Sequence, residues 1–170
     1  MEKKILVTYD SKHGATAEIS ERIDTILREK GLSTKLVSLE DPVDPEPFDA
    51  VILGSAIYIG QWRKKAVKYL KAYRQQLAEK KCWIFSTGPT GTGDPSELLK
   101  GWEYPEGLKE TIEAISPSSI IVFHGVIDED KLNTLEKLTI KMVKAPTGDF
   151  RDWGAVQEWA EEIAETLQKG

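Results

Sequence analysis

ILVTYDSKHGAT, residues 5–16, decides how the rest of the chain reads. Ile5, Leu6 and Val7 form an unbroken apolar run ending near Tyr9, the pattern of a strand covered on both faces of a parallel sheet. A short polar loop follows, Ser11-Lys12-His13-Gly14-Ala15-Thr16, and an apolar period near 3.6 starts where it ends. Gly14 lets the backbone approach a ligand closely, and free N–H groups at a helix start favour an anion. Ser11 and Thr16 add hydroxyls and Lys12 adds a full positive charge. With one dedicated cation, the loop suits a phosphomonoester held mainly by amides and hydroxyls.

The rest of the 170 residues fits a single domain, residues 1–170, long enough to bury a real core. Charged residues are 30% and hydrophobic ones 40%, ordinary for a globular chain. The formal net charge of −5 argues against a nucleic-acid footprint. No apolar run approaches the ~20 residues that cross a bilayer. MEKKILVTYD enters a strand directly, without the apolar region of a signal peptide. Cys82 is the one cysteine, so no internal disulfide or cysteine metal cluster is possible. A cytoplasmic protein with no metal site is expected.

Taken in order, the pattern predicts a helix over 14–30 with Ile19, Ile23, Ile26 and Leu27 on its buried stripe, stopped by Gly31. Residues 33–39 read as an edge strand. Pro42, Pro45 and Pro47 then forbid a regular helix. That leaves about nine residues for a parallel crossover that normally takes a dozen or more, so the connection must be a compact irregular arch. Residues 48–55 form a central strand, 56–60 a loop, and 61–77 a helix carrying Trp62, Ala66, Tyr69, Leu70, Tyr73 and Leu77 on one face. Residues 81–87 form a buried strand running into the glycine-rich GPTGTGD. An irregular stretch turns helical around Leu108, Ile112 and Ile115, and 119–125 is the last strand. Helices over 129–144 (Leu132, Leu135, Leu138, Met142) and 152–168 (Trp153, Val156, Ala160, Ile163, Leu167) close the chain, with Asp152 an N-cap. The class is a three-layer α/β/α sandwich on five parallel strands in the order 2-1-3-4-5.

In such a sheet ligands bind beyond the carboxyl ends of the strands, where strand order reverses. Three loops should meet there: 11–16 after the first strand, 55–61 after the third, and 86–94 after the fourth. The first suits a phosphate. The other two offer backbone donors and acceptors with Tyr58 and Trp62 against a flat ring. Phosphate at one end and a planar heterocycle at the other describe a mononucleotide, best matched by flavin mononucleotide (FMN).

Residues YDSKHGATAEIS resemble the phosphate loop of flavodoxin-like proteins, in the Ser/Thr-Lys/Arg-x-Gly-x-Thr form of the branch that includes menaquinone-dependent protoporphyrinogen oxidases. The resemblance extends to GSAIYIGQW, to IKMVK, and to Gly148-Asp149 and Arg151-Asp152-Trp153 before the final helix, covering nearly the whole chain. It implies a flavodoxin-like fold with FMN as cofactor. Its phosphate would be held by Ser11, Lys12, His13, Gly14, Ala15 and Thr16. Ser55, Ala56, Ile57, Tyr58, Ile59 and Gly60 would line one side of the ring and ribityl chain. Ser86, Thr87, Gly88, Pro89, Thr90 and Gly91 would take the other side and the pyrimidine edge. Two stretches depart from the oxidases, the GPTGTGD loop and the acidic VIDEDKL.

The flavin carries the hard chemistry, so no catalytic side chain is required and none is predicted. One expected function is an FMN oxidoreductase passing electrons from an organic substrate to a quinone-like acceptor. The other is a flavodoxin-type carrier between protein partners, which would pass electrons singly. Receiver domains share the architecture, but they need a phospho-accepting Asp where the third strand here ends in Gly54-Ser55. No G-x-G-x-x-G follows the first strand, which excludes a dinucleotide module. His13 reads as a loop residue touching phosphate, His124 as a structural histidine on the last strand, and Cys82 as a buried small hydrophobe. Trp83, Trp153 and Trp159 read as packing residues. Trp62 faces either crevice or core, and Trp102 with Tyr104 cover either the flavin or an open edge. Arg63, Lys64 and Lys65 read as a solvated helix face.

Overall fold

A computed structural model describes residues 2–170. The chain runs β1 (Lys4–Asp10), α1 (Ala15–Glu29), β2 (Ser33–Ser38), β3 (Ala50–Tyr58), β4 (Gln61–Trp62), α2 (Lys64–Ala72), α3 (Arg74–Ala78) and β5 (Lys81–Thr87). There follow α4 (Pro95–Leu98), a 3-10 turn at Glu106–Leu108, α5 (Lys109–Ile115), β6 (Ser119–Phe123) and β7 (Val126–Ile127). A second 3-10 turn (Glu129–Lys131), α6 (Thr134–Val143), β8 (Gly148–Asp149) and α7 (Trp153–Lys169) complete it.

Side chains alternate faces along a strand, and two separate cores result. Ile5, Val7, Ala50, Ile52, Trp83 and Phe85 face the layer of α1 and α7, packing against Ile19, Ile23, Trp159 and Ile163. Leu6, Val51, Leu53, Cys82 and Ile84 face the opposite layer, packing against Ala66, Leu70, Leu77 and Ile112. Covered on both sides, β1, β3 and β5 need continuous apolar runs, and their sequences supply them.

The main path of the sheet is β2-β1-β3-β5-β6, with each of these neighbours parallel, and β4 pairs with β3 off that path. These are the five predicted strands in the predicted order, and the class is the expected three-layer sandwich. The arch over 39–49 is irregular, as the prolines require, with turns closed by Asp41 N–H to Ser38 O at 3.1 Å and Phe48 N–H to Pro45 O at 3.0 Å.

Several boundaries differ from expectation. Residues 56–60 are not a loop: β3 continues to Tyr58 and turns back antiparallel into β4, pairing Ile57 with Trp62 and Tyr58 with Gln61. Ile59 (φ 50°) and Gly60 (φ 68°) make the two-residue turn, the left-handed geometry that matches strand twist. The helix expected over 61–77 therefore starts only at Lys64, and it breaks at Tyr73 into α2 and α3. The helix expected from 129 begins at Thr134, behind a capping box in which Asn133 and Glu136 exchange side-chain and backbone hydrogen bonds.

The largest reversal concerns which face of α6 is covered. Leu135, Leu138 and Met142, expected to be buried, are 70%, 54% and 74% exposed, whereas Glu136 is 4% exposed. Trp153 is 40% exposed rather than packed in the core, with the Arg151 guanidinium 4.8 Å from its ring centre. Among the described residues no helix is long and apolar enough to cross a membrane.

Candidate functional site

Parallel register places Asp10, Ser55 and Ser86 side by side at the carboxyl ends of β1, β3 and β5. All three are buried on the α2 side of the sheet. They fasten the start of α2. Asp10 accepts from Lys65 N–H at 3.2 Å and from Arg63 Nε at 3.4 Å, Ser55 Oγ accepts from Arg63 N–H at 3.1 Å, and Ser86 Oγ accepts from the Trp62 indole at 2.8 Å. The hydroxyls of Ser55 and Ser86 are thus committed to scaffolding, which leaves their backbone groups at the sheet edge. Trp62 is a core residue, and Arg63 is a bound cation rather than part of a solvated face. Lys65 is tied by a further ion pair to Glu40.

The three loops meet pairwise. Thr16 Oγ1 and Thr87 Oγ1 are 2.5 Å apart, joining the first loop to the third. Lys12 Nζ lies 3.6 Å from the centre of the Tyr58 ring, joining the first to the second. Gly88 packs so closely on Ile57 that an added Cβ would fall 2.8 Å from the Ile57 Cβ, joining the second to the third. Thr16 is 1% exposed, so its hydroxyl serves this junction and not the open edge. Ile59 stands out from the hairpin tip at 66% exposure.

At the head of α1, Gly14 is the N-cap with φ 98°, in the left-handed region, and no side chain caps the helix. Its first-turn N–H groups are left for an outside acceptor, the arrangement that favours an anion. Ser11 Oγ accepts from Gly14 N–H at 3.1 Å, which frees the hydroxyl proton for donation outward. A cavity of about 600 Å³ borders His13, Gly14 and Ala15 and is lined on its far side by residues 126–132 with Thr147, Gly148, Asp149 and Arg151. No heavy atom lies within 4 Å of where a Gly14 Cβ would stand. The helix head therefore offers amides, a hydroxyl and space to a phosphate-bearing ligand, while the rest of the cavity wall carries Glu18, Asp128, Glu129, Asp130 and Asp149 beside Lys131 and Arg151.

The third loop is shaped by His124. Its Nδ1 is 3.0 Å from Pro89 O and its Nε2 is 2.7 Å from Gly93 O. His124 lies just beyond β6, not on it, because Gly88 N–H to Phe123 O and Gly125 N–H to Pro89 O redirect the chain toward the loop. The reading as a structural histidine stands. Trp102 and Tyr104 are half-buried and pack on the core layer that contains Trp62, Leu108 and Ile112.

The model of the flavodoxin domain family matches residues 6–153. The chain belongs to the flavodoxin family. Protoporphyrinogen IX dehydrogenase [quinone] of Escherichia coli (strain K12) is 19% identical over 177 residues, spanning 98% of this chain and 97% of that protein. A flavodoxin from the domain Archaea superposes with a TM-score of 0.60 at 15% identity, covering 97% of this chain and 99% of that one. Rubredoxin:oxygen oxidoreductase of Desulfovibrio gigas superposes with a TM-score of 0.61 at 16% identity, over 98% of this chain and 36% of the longer one. A Fusobacterium nucleatum flavodoxin variant bound to flavin mononucleotide reaches 0.52 at 18% identity, over 72% of this chain and 68% of that one. At these identities the superpositions establish a shared flavodoxin fold.

Two groups beside the loop of residues 11–16 were not among the expected site residues of this flavodoxin-fold chain. Asp10 is one, legible only as the polar end of an apolar strand. Glu136 is the other. Its Oε2 lies 2.9 Å from His13 Nε2 and 3.2 Å from Lys12 Nζ, while Oε1 accepts from Asn133 N–H at 3.3 Å. The His13 hydrogen bond, opposed by burial and helped by the Lys12 contacts, holds the carboxyl down to about 2. The carboxylate is screened from solvent by a thin cover, since Lys12 and His13 themselves are 26% and 32% exposed. Nearby, Lys131 Nζ donates to His13 O at 3.3 Å, and Arg151 pairs with Glu18 on α1 and Asp149 on β8.

Proposed function

We propose that residues 1–170 act as one domain that binds FMN at the carboxyl edge of the sheet. In this reading it works as an oxidoreductase resembling protoporphyrinogen oxidase, passing electrons from an organic substrate to a quinone-like acceptor. The observation that carries the cofactor reading is the pairwise meeting of the three loops beside an uncapped, unobstructed helix head at Gly14. End-to-end similarity to a quinone-dependent protoporphyrinogen IX dehydrogenase supports the choice of reaction.

In this reading the free first-turn N–H groups of Ala15 and Thr16 and the Ser11 hydroxyl hold the phosphate, with Lys12, His13 and Gly14 completing the loop around it. Tyr58 and the hairpin backbone of residues 55–60 flank one side of the ring, and the backbone of 86–91, held in shape by His124, takes the other side and the pyrimidine edge. FMN, when bound, supplies the redox chemistry; the protein orients it and controls which edge meets the substrate. The exposed hairpin tip at Ile59 is where a small-molecule or protein redox partner would approach.

A redox titration of the FMN-loaded protein tests the reaction class. One two-electron step, with turnover of a porphyrinogen and a soluble quinone, supports the oxidoreductase. Two separated one-electron steps, without such turnover, would establish the flavodoxin-type carrier instead.

A further inference from the structure

The phosphate loop has one cationic side chain, Lys12, and beside it the imidazole of His13, and both already have a partner. The same oxygen of Glu136 contacts His13 Nε2 at 2.9 Å and Lys12 Nζ at 3.2 Å. That carboxylate is 4% exposed and comes from α6, a distant part of the chain. Glu136 is the buried residue of α6, whereas Leu135, Leu138 and Met142 face outward. An acid turned inward on a helix whose apolar stripe faces solvent inverts the usual arrangement and calls for a compensating role.

We propose that Glu136 is a positioning residue that competes with the ligand's phosphate for Lys12 and His13, and so sets how strongly the loop prefers a phosphorylated ligand. This rests on residues 11–16 being a phosphate loop. The charges decide the direction. A phosphomonoester brings about −1.5 to −2 charges at neutral pH. Lys12 beside Glu136 presents a neutral pair, so the incoming dianion meets amides and hydroxyls with no net positive charge. To gain Lys12, the phosphate must displace the carboxylate or share the ammonium with it against like-charge repulsion. Removing the charge on Glu136 takes away the carboxylate's claim on Lys12, leaving the ammonium only its contact with the Tyr58 ring.

Glu136→Gln isolates this effect, because Gln at the third helical position still completes the capping box with Asn133 and keeps the start of α6. Titration of wild type and E136Q with FMN and with riboflavin, read by quenching of flavin fluorescence, is the direct test. The expected result is FMN affinity raised about tenfold in E136Q, with riboflavin affinity unchanged within about twofold. The E136Q gain should also shrink as salt is raised. Equal or weaker FMN binding by E136Q, or an equal gain for riboflavin, overturns the proposal.

Two further measurements separate this proposal from the cofactor reading. In the wild-type chain, FMN or inorganic phosphate should speed amide hydrogen exchange over residues 134–139 by taking away the contacts that hold α6, and riboflavin should not. Unchanged exchange with both phosphates counts against the proposal. If neither protein takes up flavin, thermal midpoints with inorganic phosphate decide. A larger rise in E136Q than in wild type keeps the competition and removes the flavin, whereas equal shifts, or none, overturn both.

Discussion

Gly54 sits in β3 directly over the tip of the Phe85 ring, and replacing it with Ala tests whether the sheet edge is built as described. A Cβ at Gly54 would fall 2.1 Å from Phe85 Cζ and 2.5 Å from both Cε atoms. Ordinary contact begins near 3.4 Å, so the ring would have to retreat by more than an ångström. It has nowhere to go. Phe85 is fully buried, with the Phe123 and Trp159 rings each 5.8 Å away in tilted and edge-on contact. Overpacking of a rigid core costs typically 1–3 kcal/mol, and the fixed ring puts Gly54→Ala near about 3 kcal/mol. For a chain of this size that lowers the thermal midpoint by about 6–12 °C. Phe85→Leu alone should cost about 1–2 kcal/mol through lost contacts. With the ring gone, the added methyl meets little resistance, so G54A/F85L should be close to F85L, with a coupling of at least about 1.5 kcal/mol. Urea unfolding of the four proteins measures this. Additive losses would refute the contact as the source of the cost.

The remaining predictions concern single groups. Glu136→Gln should lower stability at pH 7 by about 1–2 kcal/mol, a value discounted for the thin cover over the pair. Because the folded-state pKa is depressed from 4.5 to about 2, the wild-type advantage is fully present above 4.5 and fades as pH falls through about 2; urea midpoints across pH 2–7 follow it. Trp62→Phe removes the indole bond to Ser86 Oγ and leaves that buried hydroxyl short of a partner, at about 1–3 kcal/mol in denaturant unfolding. The Cys82 thiol, pushed up to about 12 by burial and donating to Leu77 O at 3.3 Å, should be inert to a disulfide reagent at pH 8 until urea unfolds the chain.

Much of the fold was legible because β1, β3 and β5 are covered on both faces, and apolar runs between turn residues permit little else. The arch at 39–49 was legible from its prolines. The hairpin at 57–62 was not. Its two-residue strand is too short to show a period, and Ile59 takes a left-handed φ of 50° that a β-branched residue seldom adopts. The stripe of α6 predicted a helix correctly but misplaced its buried face, because periodicity reports which residues share a face and not what lies opposite. There the pairing of Glu136 with Lys12 and His13, 123 residues away in the case of His13, outweighed apolar burial. The spacing of Asn133 and Glu136 was a readable helix-start signal, yet nothing local marked the acid as buried.

The candidate site divides along the same line. Three loops were expected at one edge because strand ends locate themselves once the order is known, and side chains of all three touch. What sequence did not show is which face each side chain would take. Ser55 and Ser86 alternate onto the α2 side and serve Arg63 and Trp62, while Thr16 turns inward to Thr87. His124 resisted placement because two hydrogen bonds from beyond its strand, at Gly88 and Gly125, set where β6 ends.

A fluorescence titration of the purified chain with FMN, on protein first stripped of any bound flavin, tests the central claim most directly. Saturable quenching at one FMN per chain, weakened by Gly14→Val at the uncapped helix head, is the predicted result. Free-flavin fluorescence that persists unchanged at every protein concentration would contradict it.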